Sequence, residues 1–145
     1  MTARRAFESR TSAAPRETPP LETTLSELSS RYAKLNAIRA AWKARRQRDD
    51  YFNAKMFSDP AWDMLLELYA ASLADRRMTI SRLAERSAVP MTTALRWIAT
   101  LQSEGVIDRQ DDPFDRRRYF LSLSDKGLGA MESFYENLQP GAKLL

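Results

Sequence analysis

The sequence predicts a mainly α-helical fold with one small β-hairpin and an N-terminal helical extension. Apolar residues recur at helical spacing in several stretches of the chain. Two short runs in which apolar and other residues alternate follow the helical stretch that ends before Gly105. The first twenty residues have neither pattern. At 145 residues, the chain has room for one domain plus extensions.

The composition argues against several classes of function. The sequence holds no Cys and no His, which removes disulfides, thiol chemistry, most zinc and copper sites and the usual general acid–base residue. We therefore expect no catalytic residue, no metal and no cofactor. No segment approaches the roughly 18 apolar residues that span a bilayer, and no signal-peptide pattern follows the first arginines, so a cytoplasmic protein without membrane contact is predicted.

The basic charge is concentrated at the N-terminal end. Residues 1–50 hold eleven Lys and Arg against six Asp and Glu, whereas the remainder is slightly acidic within a net charge of +4. A basic extension on a neutral domain fits a polyanion partner such as nucleic acid, but many solvated helices have the same composition. Charge alone leaves the partner open.

Two segments precede the predicted domain. Residues 1–20 combine Pro, Ser, Thr, Arg and Glu with one aromatic residue, which predicts a disordered basic arm. Residues 21–57 are predicted to form a helical extension. In it, Thr24 and Glu27 have capping-box spacing and predict the start of a helix that runs to about Arg48.

One face of this helix carries an apolar stripe. Its members are Leu21, Leu25, Leu28, Tyr32, Leu35, Ile38 and Trp42. The stripe predicts either packing against the chain's own domain or the seam of a homodimer, and the spacing alone does not choose between them. The arginines that follow, Arg45, Arg46 and Arg48, are typical of a helix C-terminus whose dipole they complement.

Three helices follow at the start of the predicted domain, residues 58–128. The start signals are Asp59 as an N-cap with Pro60 next to it, Thr79 as a second N-cap, and the turn Ala88–Pro90 before the third helix. The third helix ends before Gly105. The stretches VIDRQ and RYFLSL then predict two strands, and Ser124 caps a last helix over residues 125–138.

This order of elements is the layout of a winged helix-turn-helix, in which the helix after the turn enters the DNA major groove and the hairpin lies along the backbone or in the minor groove. Three consecutive arginines at the hairpin tip fit a narrow, negative minor groove. The residues predicted to contact DNA are Thr92, Thr93, Leu95 and Arg96 on the third helix and Arg116, Arg117 and Arg118 on the hairpin. In the alternative interpretation, Arg96 is a solvent-exposed residue without a ligand, and Thr92 and Thr93 only satisfy free backbone N–H groups at the start of the helix.

The hairpin resembles the wing of the MarR family of bacterial transcription factors. The positions that carry the resemblance are Asp115, Arg117, Leu121, Leu123, Ser124 and Gly127, and Leu101 and Gly105 resemble the family's exit from the recognition helix. The resemblance covers about residues 58–130. It implies that Asp115 braces Arg117 and that Arg117 enters the minor groove. It also implies a homodimer and a small-molecule effector in an apolar cavity between the N-terminal helix and the domain.

Two features depart from the family pattern. Ala88 stands at a turn position where the family often has glycine, and the chain ends soon after Leu138, so less sequence is left for a C-terminal dimerisation helix. A dimer then depends on residues 21–57.

The sequence therefore predicts a DNA-binding transcriptional regulator, a homodimer on double-stranded DNA and no enzyme. The alternative is a winged helix that serves as a protein-interaction module without specific DNA binding, because a fold alone does not fix a function.

Overall fold

The computed structural model describes residues 21–138. The predicted basic arm, residues 1–20, lies outside the described residues, as do residues 139–145. In chain order the elements are α1 (Leu21–Arg48), a 3-10 turn (Ala54–Phe57), α2 (Pro60–Leu73), β1 (Met78–Thr79), α3 (Ile80–Arg86), α4 (Met91–Ser103), β2 (Ile107–Asp111), β3 (Tyr119–Leu123) and α5 (Asp125–Glu136). The predicted fold class, mainly α with a small hairpin, is confirmed.

Three predicted helix caps are present. The Asp59 carboxylate accepts a hydrogen bond from the Trp62 backbone N–H at 3.3 Å, and Pro60 occupies the first turn of α2. The other two caps are hydroxyls. The Thr79 hydroxyl accepts the Arg82 N–H of α3 at 3.3 Å, and the Ser124 hydroxyl accepts the Gly127 N–H of α5 at 3.0 Å. Each cap satisfies a backbone donor that has no partner inside its helix, which fixes where the helix begins.

The start of α1 differs from the prediction. The helix is already formed at Leu21, so the prediction that the Thr24 and Glu27 pair begins it is wrong. The same spacing occurs inside helices, and the apolar period that stabilises α1 extends back to Leu21. The predicted end at Arg48 is confirmed.

The turn between α3 and α4 contains a left-handed residue. Ala88 has φ +52°, and the Val89 N–H returns to the Ala84 carbonyl at 3.2 Å, which closes the end of α3. A residue with a Cβ pays about 1–2 kcal/mol for this conformation. The turn thus keeps a geometry suited to glycine, with alanine in its place.

The hairpin belongs to a three-stranded antiparallel sheet of order β1-β3-β2. β2 and β3 pair from Ile107 opposite Leu123 to Asp111 opposite Tyr119, as the predicted hairpin requires. The sequence analysis missed β1, where Met78 pairs with Leu121. This strand anchors the wing to the start of α3.

Two apolar clusters hold the described residues together. The first lies within the winged domain and joins α2, α3, α4 and the sheet through residues such as Met64, Leu68, Leu83, Ala94, Ile98, Ile107 and Leu121. The second joins α1, α2 and α5 through Leu35, Ile38, Ala41, Leu66, Tyr69, Ala70 and Met131. Because α2 contributes to both clusters, it is buried on most of its surface.

The apolar stripe of α1 divides into two halves. Leu35 and Ile38 are buried against α2, which confirms intramolecular packing for the C-terminal half. Leu25 and Leu28 are 65% and 55% exposed, and Leu21 and Tyr32 are exposed as well. The N-terminal half therefore remains uncovered by the described residues. None of the helices within residues 21–138 has the length and apolar character needed to cross a membrane.

Candidate nucleic-acid interface

Helix α4 presents one buried face and one exposed face. Ala94, Ile98 and Leu101 pack into the first apolar cluster. Thr92, Leu95 and Arg96 are exposed on the outer side, and Thr93 is half-buried. The four residues predicted to contact DNA on this helix thus lie in its first two turns, and three of them are accessible.

The N-terminus of α4 has no side-chain cap. Pro90 occupies the N-cap position and offers no side-chain acceptor to the first backbone N–H groups. These groups and the positive end of the helix dipole favour a negatively charged ligand at this end.

The wing turn is held by backbone hydrogen bonds. The Asp112 N–H donates to the Arg118 carbonyl at 3.0 Å, and the Arg118 N–H donates to the Asp115 carbonyl at 3.0 Å. Phe114 lies at the tip with 96% of its surface exposed. The turn therefore has a defined backbone although its side chains project into solvent.

Two wing carboxylates bind the backbone of the turn. Asp112 accepts the Phe114 N–H at 2.9 Å, and Asp115 accepts the Arg117 N–H at 3.0 Å. Within residues 21–138, no ion pair joins the Asp115 carboxylate to the Arg117 guanidinium. Any bracing of Arg117 by Asp115 in this structure acts through the main chain.

The wing arginines fall into two groups. Arg109 pairs with Asp111 at 3.0 Å and stacks on the Tyr119 ring, 3.8 Å from its centroid. Arg116 and Arg117 are exposed and have no ion pair within the described residues. Arg118 is also exposed, and its guanidinium lies 5.8 Å from the Phe120 ring centroid. The nearly neutral wing sequence thus places its paired charges along the strands and leaves accessible cations near the tip.

Gly127 fixes how α5 leaves the wing. A Cβ at this position would lie 2.0 Å from the Val106 carbonyl oxygen, which is backbone and cannot move aside. The same carbonyl accepts the Ser124 N–H at 3.0 Å. This close approach gives a physical reason for glycine at this place in the wing pattern.

The sequence analysis missed a buried ion pair between α1 and α2. Arg45 is 6% exposed and donates to the Asp63 carboxylate at 2.7 Å, and Arg46 donates to the other oxygen of Asp63. The interpretation of Arg45 and Arg46 as dipole-complementing residues alone is wrong, because they neutralise a buried carboxylate. Asp63, one of two carboxylates in the mostly apolar α2, was the available signal.

Trp42 connects α1 to the end of α3. Its indole N–H donates to the Arg86 carbonyl at 2.8 Å, and the Arg86 guanidinium lies 4.7 Å from the indole ring centroid. Arg86 also pairs with the buried Glu67 at 3.0 Å. These contacts link the helical extension directly to the helix-turn-helix.

A cleft of about 440 Å³ lies beside Trp42, between α1 and the winged domain. The resemblance implied an apolar effector cavity in this position. The cleft is mixed instead, since Ile38, Trp42 and Met78 share its walls with several cations. The cations are Arg39, Lys43, Arg76, Arg77, Arg82 and Arg86.

Comparison with protein families gives one match. Residues 67–127 match the family model of the winged helix DNA-binding domain. No curated protein matches the sequence.

Several solved structures are similar to this chain at low sequence identity. A point mutant of MepR from a multidrug-resistant clinical isolate of Staphylococcus aureus is 20% identical, with 83% of this chain and 78% of that chain covered and a TM-score of 0.50. NadR in complex with 4-hydroxyphenylacetate is 17% identical, with 85% of this chain and 77% of the NadR chain covered and a TM-score of 0.49. Lactococcus lactis ZitR is 17% identical, with 53% of this chain and 49% of the ZitR chain covered and a TM-score of 0.46. The match therefore spans about half the length of ZitR.

These neighbours are MarR-family proteins. The predicted resemblance to that family is confirmed at the level of the fold.

Proposed function

We propose that this protein is a DNA-binding transcriptional regulator of the MarR type. The match of residues 67–127 to the winged helix DNA-binding domain carries the proposal. The exposed outer face of α4 and the accessible wing arginines support it, because both are in the positions that such a domain presents to DNA.

In this proposal α4 enters the major groove. Arg96 reads a base edge, since a guanidinium can donate two hydrogen bonds to guanine. Leu95 makes apolar contact with a thymine methyl group, and Thr92 and Thr93 contact the phosphate backbone near the helix N-terminus.

The wing makes the second contact. Arg117 enters the minor groove, where a narrow A·T-rich groove attracts a guanidinium, and Arg116 and Arg118 bind the flanking phosphates. Asp115 holds the turn that presents Arg117. The hydrogen bond from the Arg117 N–H to Asp115 supports this role.

We further propose a homodimer whose seam includes the N-terminal half of α1. Leu21, Leu25, Leu28 and Tyr32 are exposed on that half and continue the spacing of the buried Leu35. In this arrangement residues 21–57 are the dimerisation extension, 58–128 the DNA-binding domain and 125–138 the C-terminal helix. The two domains then read two half-sites about one helical turn apart.

The cleft beside Trp42 is the proposed site of a small-molecule effector. Cations outnumber the single carboxylate, Glu67, in its lining, so an anionic ligand with an apolar part fits it best. Trp42 contacts both α1 and the end of α3, which would couple an occupied cleft to the helix-turn-helix.

The rival proposal is a winged helix that binds another protein. In α4 the one cation is Arg96, so the major-groove face is not strongly basic. Neither proposal includes a catalytic step, in line with a sequence that lacks both His and Cys.

Genome-wide capture of DNA bound to the protein tests the proposed function. We expect the recovered fragments to share an inverted repeat whose half-sites have A·T-rich flanks. Fragments without a common motif, together with equal affinity for an unrelated duplex in solution, would favour the interaction module.

A further inference from the structure

A second cavity, of about 290 Å³, lies at the N-terminal end of α4. Its walls come from the C-terminal end of α1, the 3-10 turn and the turn before α4. The residues that matter for its chemistry are Arg46, Arg48, Lys55, Ser87, Pro90 and Thr93. We refer to it as the Ser87 cavity.

Positive charge predominates in the Ser87 cavity. Four cations, Arg45, Arg46, Arg48 and Lys55, line it together with two carboxylates, Asp49 and Asp63. Arg45 and Arg46 are paired with Asp63, and Arg46 also lies 3.4 Å from Asp49. Arg48 and Lys55 have no ion pair among residues 21–138, so the two excess charges belong to them.

Three residues that line the same cavity each carry a buried polar atom without a hydrogen-bond partner among the described residues. The Arg46 Nε, the Arg48 Nε and the Ser87 Oγ are buried and have no hydrogen-bond partner among the described residues. Ser87 is only 2% exposed. A buried donor without an acceptor destabilises the folded protein, and such atoms are rare in folded proteins. All three groups can donate a hydrogen bond to an acceptor-rich ligand.

The N-terminus of α4 lies at the same cavity. Pro90 caps the helix without a side-chain acceptor, and Thr93 of the first turn lines the cavity. Uncapped N–H groups, the helix dipole and three unpaired donors all favour an anion with several oxygens. Phosphate has this chemistry, and Arg and Lys are the residues that bind it.

We infer that the Ser87 cavity binds a phosphate group of the DNA backbone when α4 lies in the major groove. This inference rests on the proposed function. Thr93 belongs both to the cavity and to the residues proposed to contact DNA, which places the cavity beside the strand that α4 would follow. The C-terminal end of α1 then contacts the DNA backbone in addition to packing against α2.

The salt dependence of DNA binding tests this inference on the full chain. The probe is a duplex of about 30 base pairs, long enough for two half-sites, measured by fluorescence anisotropy at several NaCl concentrations. The variants are Arg48→Gln and Ser87→Ala. Arg48→Lys keeps the charge, and Lys34→Ala removes a cation of α1 that does not line the cavity.

Loss of one phosphate contact from each protomer should lower the salt slope of the Arg48→Gln dimer by about two, with similar loss on specific and unrelated duplexes. Between about 50 and 200 mM salt, parent affinity should fall about twelvefold more than that of the variant. Arg48→Lys and Lys34→Ala should keep the parent slope. Ser87→Ala should weaken binding at every salt concentration while its slope stays near that of the parent. Circular dichroism confirms that each variant is folded.

A second arm separates the DNA backbone from free phosphate. Thermal melting of the protein alone is compared in inorganic phosphate and in chloride at equal ionic strength. If phosphate stabilises the parent but not Arg48→Gln, while both have the same DNA salt slope, the cavity binds free phosphate and the backbone assignment is overturned. Equal slopes without phosphate stabilisation also overturn it. If the parent itself does not bind duplex DNA, the proposed function fails, which is a different result from a variant that matches a DNA-binding parent.

Discussion

The carboxylate of Asp115 accepts a hydrogen bond from the backbone N–H of Arg117 at 3.0 Å. The same residue holds the wing turn a second time, because its carbonyl accepts the Arg118 N–H. The acidic residue thus shapes the main chain from which the arginines project, and the Arg117 guanidinium stays free of an ion pair with it. An acidic turn and a DNA-binding wing are therefore compatible.

The wing gives the first prediction. Arg117→Ala should weaken binding most at operators with A·T-rich flanks and lower the salt slope by up to about one for each protomer of the dimer. Asp115→Ala should weaken binding less, since it releases the turn without removing a cation. Asp115→Asn is the matched control, because its amide oxygen can still accept the Arg117 N–H. Anisotropy titrations on matched duplexes measure all three. Equal losses for the Ala and Asn variants would mean that the hydrogen bond to the turn is irrelevant.

The approach of α5 to the wing gives the second prediction. Gly127→Ala should destabilise the fold by about 2–3 kcal/mol, because the new Cβ overlaps the Val106 carbonyl oxygen. Gly129→Ala has open space around the new Cβ and should stabilise α5 by about 0.5–1 kcal/mol. Urea unfolding followed by circular dichroism compares them. A Gly127→Ala protein as stable as the parent would refute the close approach.

The exposed half of α1 gives the third prediction. The double substitution Leu25→Gln and Leu28→Gln should raise the dimer dissociation constant by at least about tenfold, since burying each leucine is worth about 1.5–3 kcal/mol. Ser26→Gln and Ser29→Gln on the same helix should leave it unchanged. Sedimentation equilibrium gives the constants. A parent that is monomeric at all concentrations, or a double variant that dimerises normally, would place the seam elsewhere.

A buried tyrosine gives the fourth prediction. Burial away from water raises the pKa of the Tyr69 hydroxyl to about 12, with smaller contributions from Glu132, Tyr135 and Glu136. The unfolded chain loses this proton near the ordinary value of 10 while the folded protein keeps it. Stability is therefore fully present below pH 10 and falls as the pH rises through 12, by about 2–3 kcal/mol.

Tyr69→Phe should remove this alkaline loss. Because the Tyr69 hydroxyl has no hydrogen-bond partner within residues 21–138, the substitution should change stability little at neutral pH. Tyr51→Phe, at an exposed position, should follow the parent at every pH. Urea midpoints between about pH 8 and about pH 12 show whether the two variants differ. An unchanged loss in Tyr69→Phe would assign the alkaline transition to other groups.

Local signals predicted much of the fold. Asp59, Thr79 and Ser124 cap their helices through neighbours three residues away, so the pattern was readable in the sequence. The pairing of Met78 with Leu121 was not, because a two-residue strand has no period and its partner is distant in the chain. The Thr24 pattern failed because an internal helix segment can have the same spacing.

The candidate site was predictable only in part. The exposure of Arg96 follows from helical periodicity, since Ala94 and Ile98 occupy the opposite, buried face. The contacts of α1 with the domain did not follow, because Arg45 and Asp63 are far apart in sequence and meet only after α1 packs on α2. The Ser87 cavity depends on that same packing. The proposed DNA contacts of Arg96 and Arg117 remain predictions.

Equilibrium binding of Arg96→Ala to a captured operator and to its single-base variants tests the central claim most directly. If Arg96 reads a base edge, the substitution should cost about 1–3 kcal/mol on the parent site and abolish the preference at one base position per half-site. Gln102→Ala, exposed at the other end of α4, should bind as the parent does. An Arg96→Ala protein with parent affinity and unchanged base preferences would contradict the placement of α4 in the major groove.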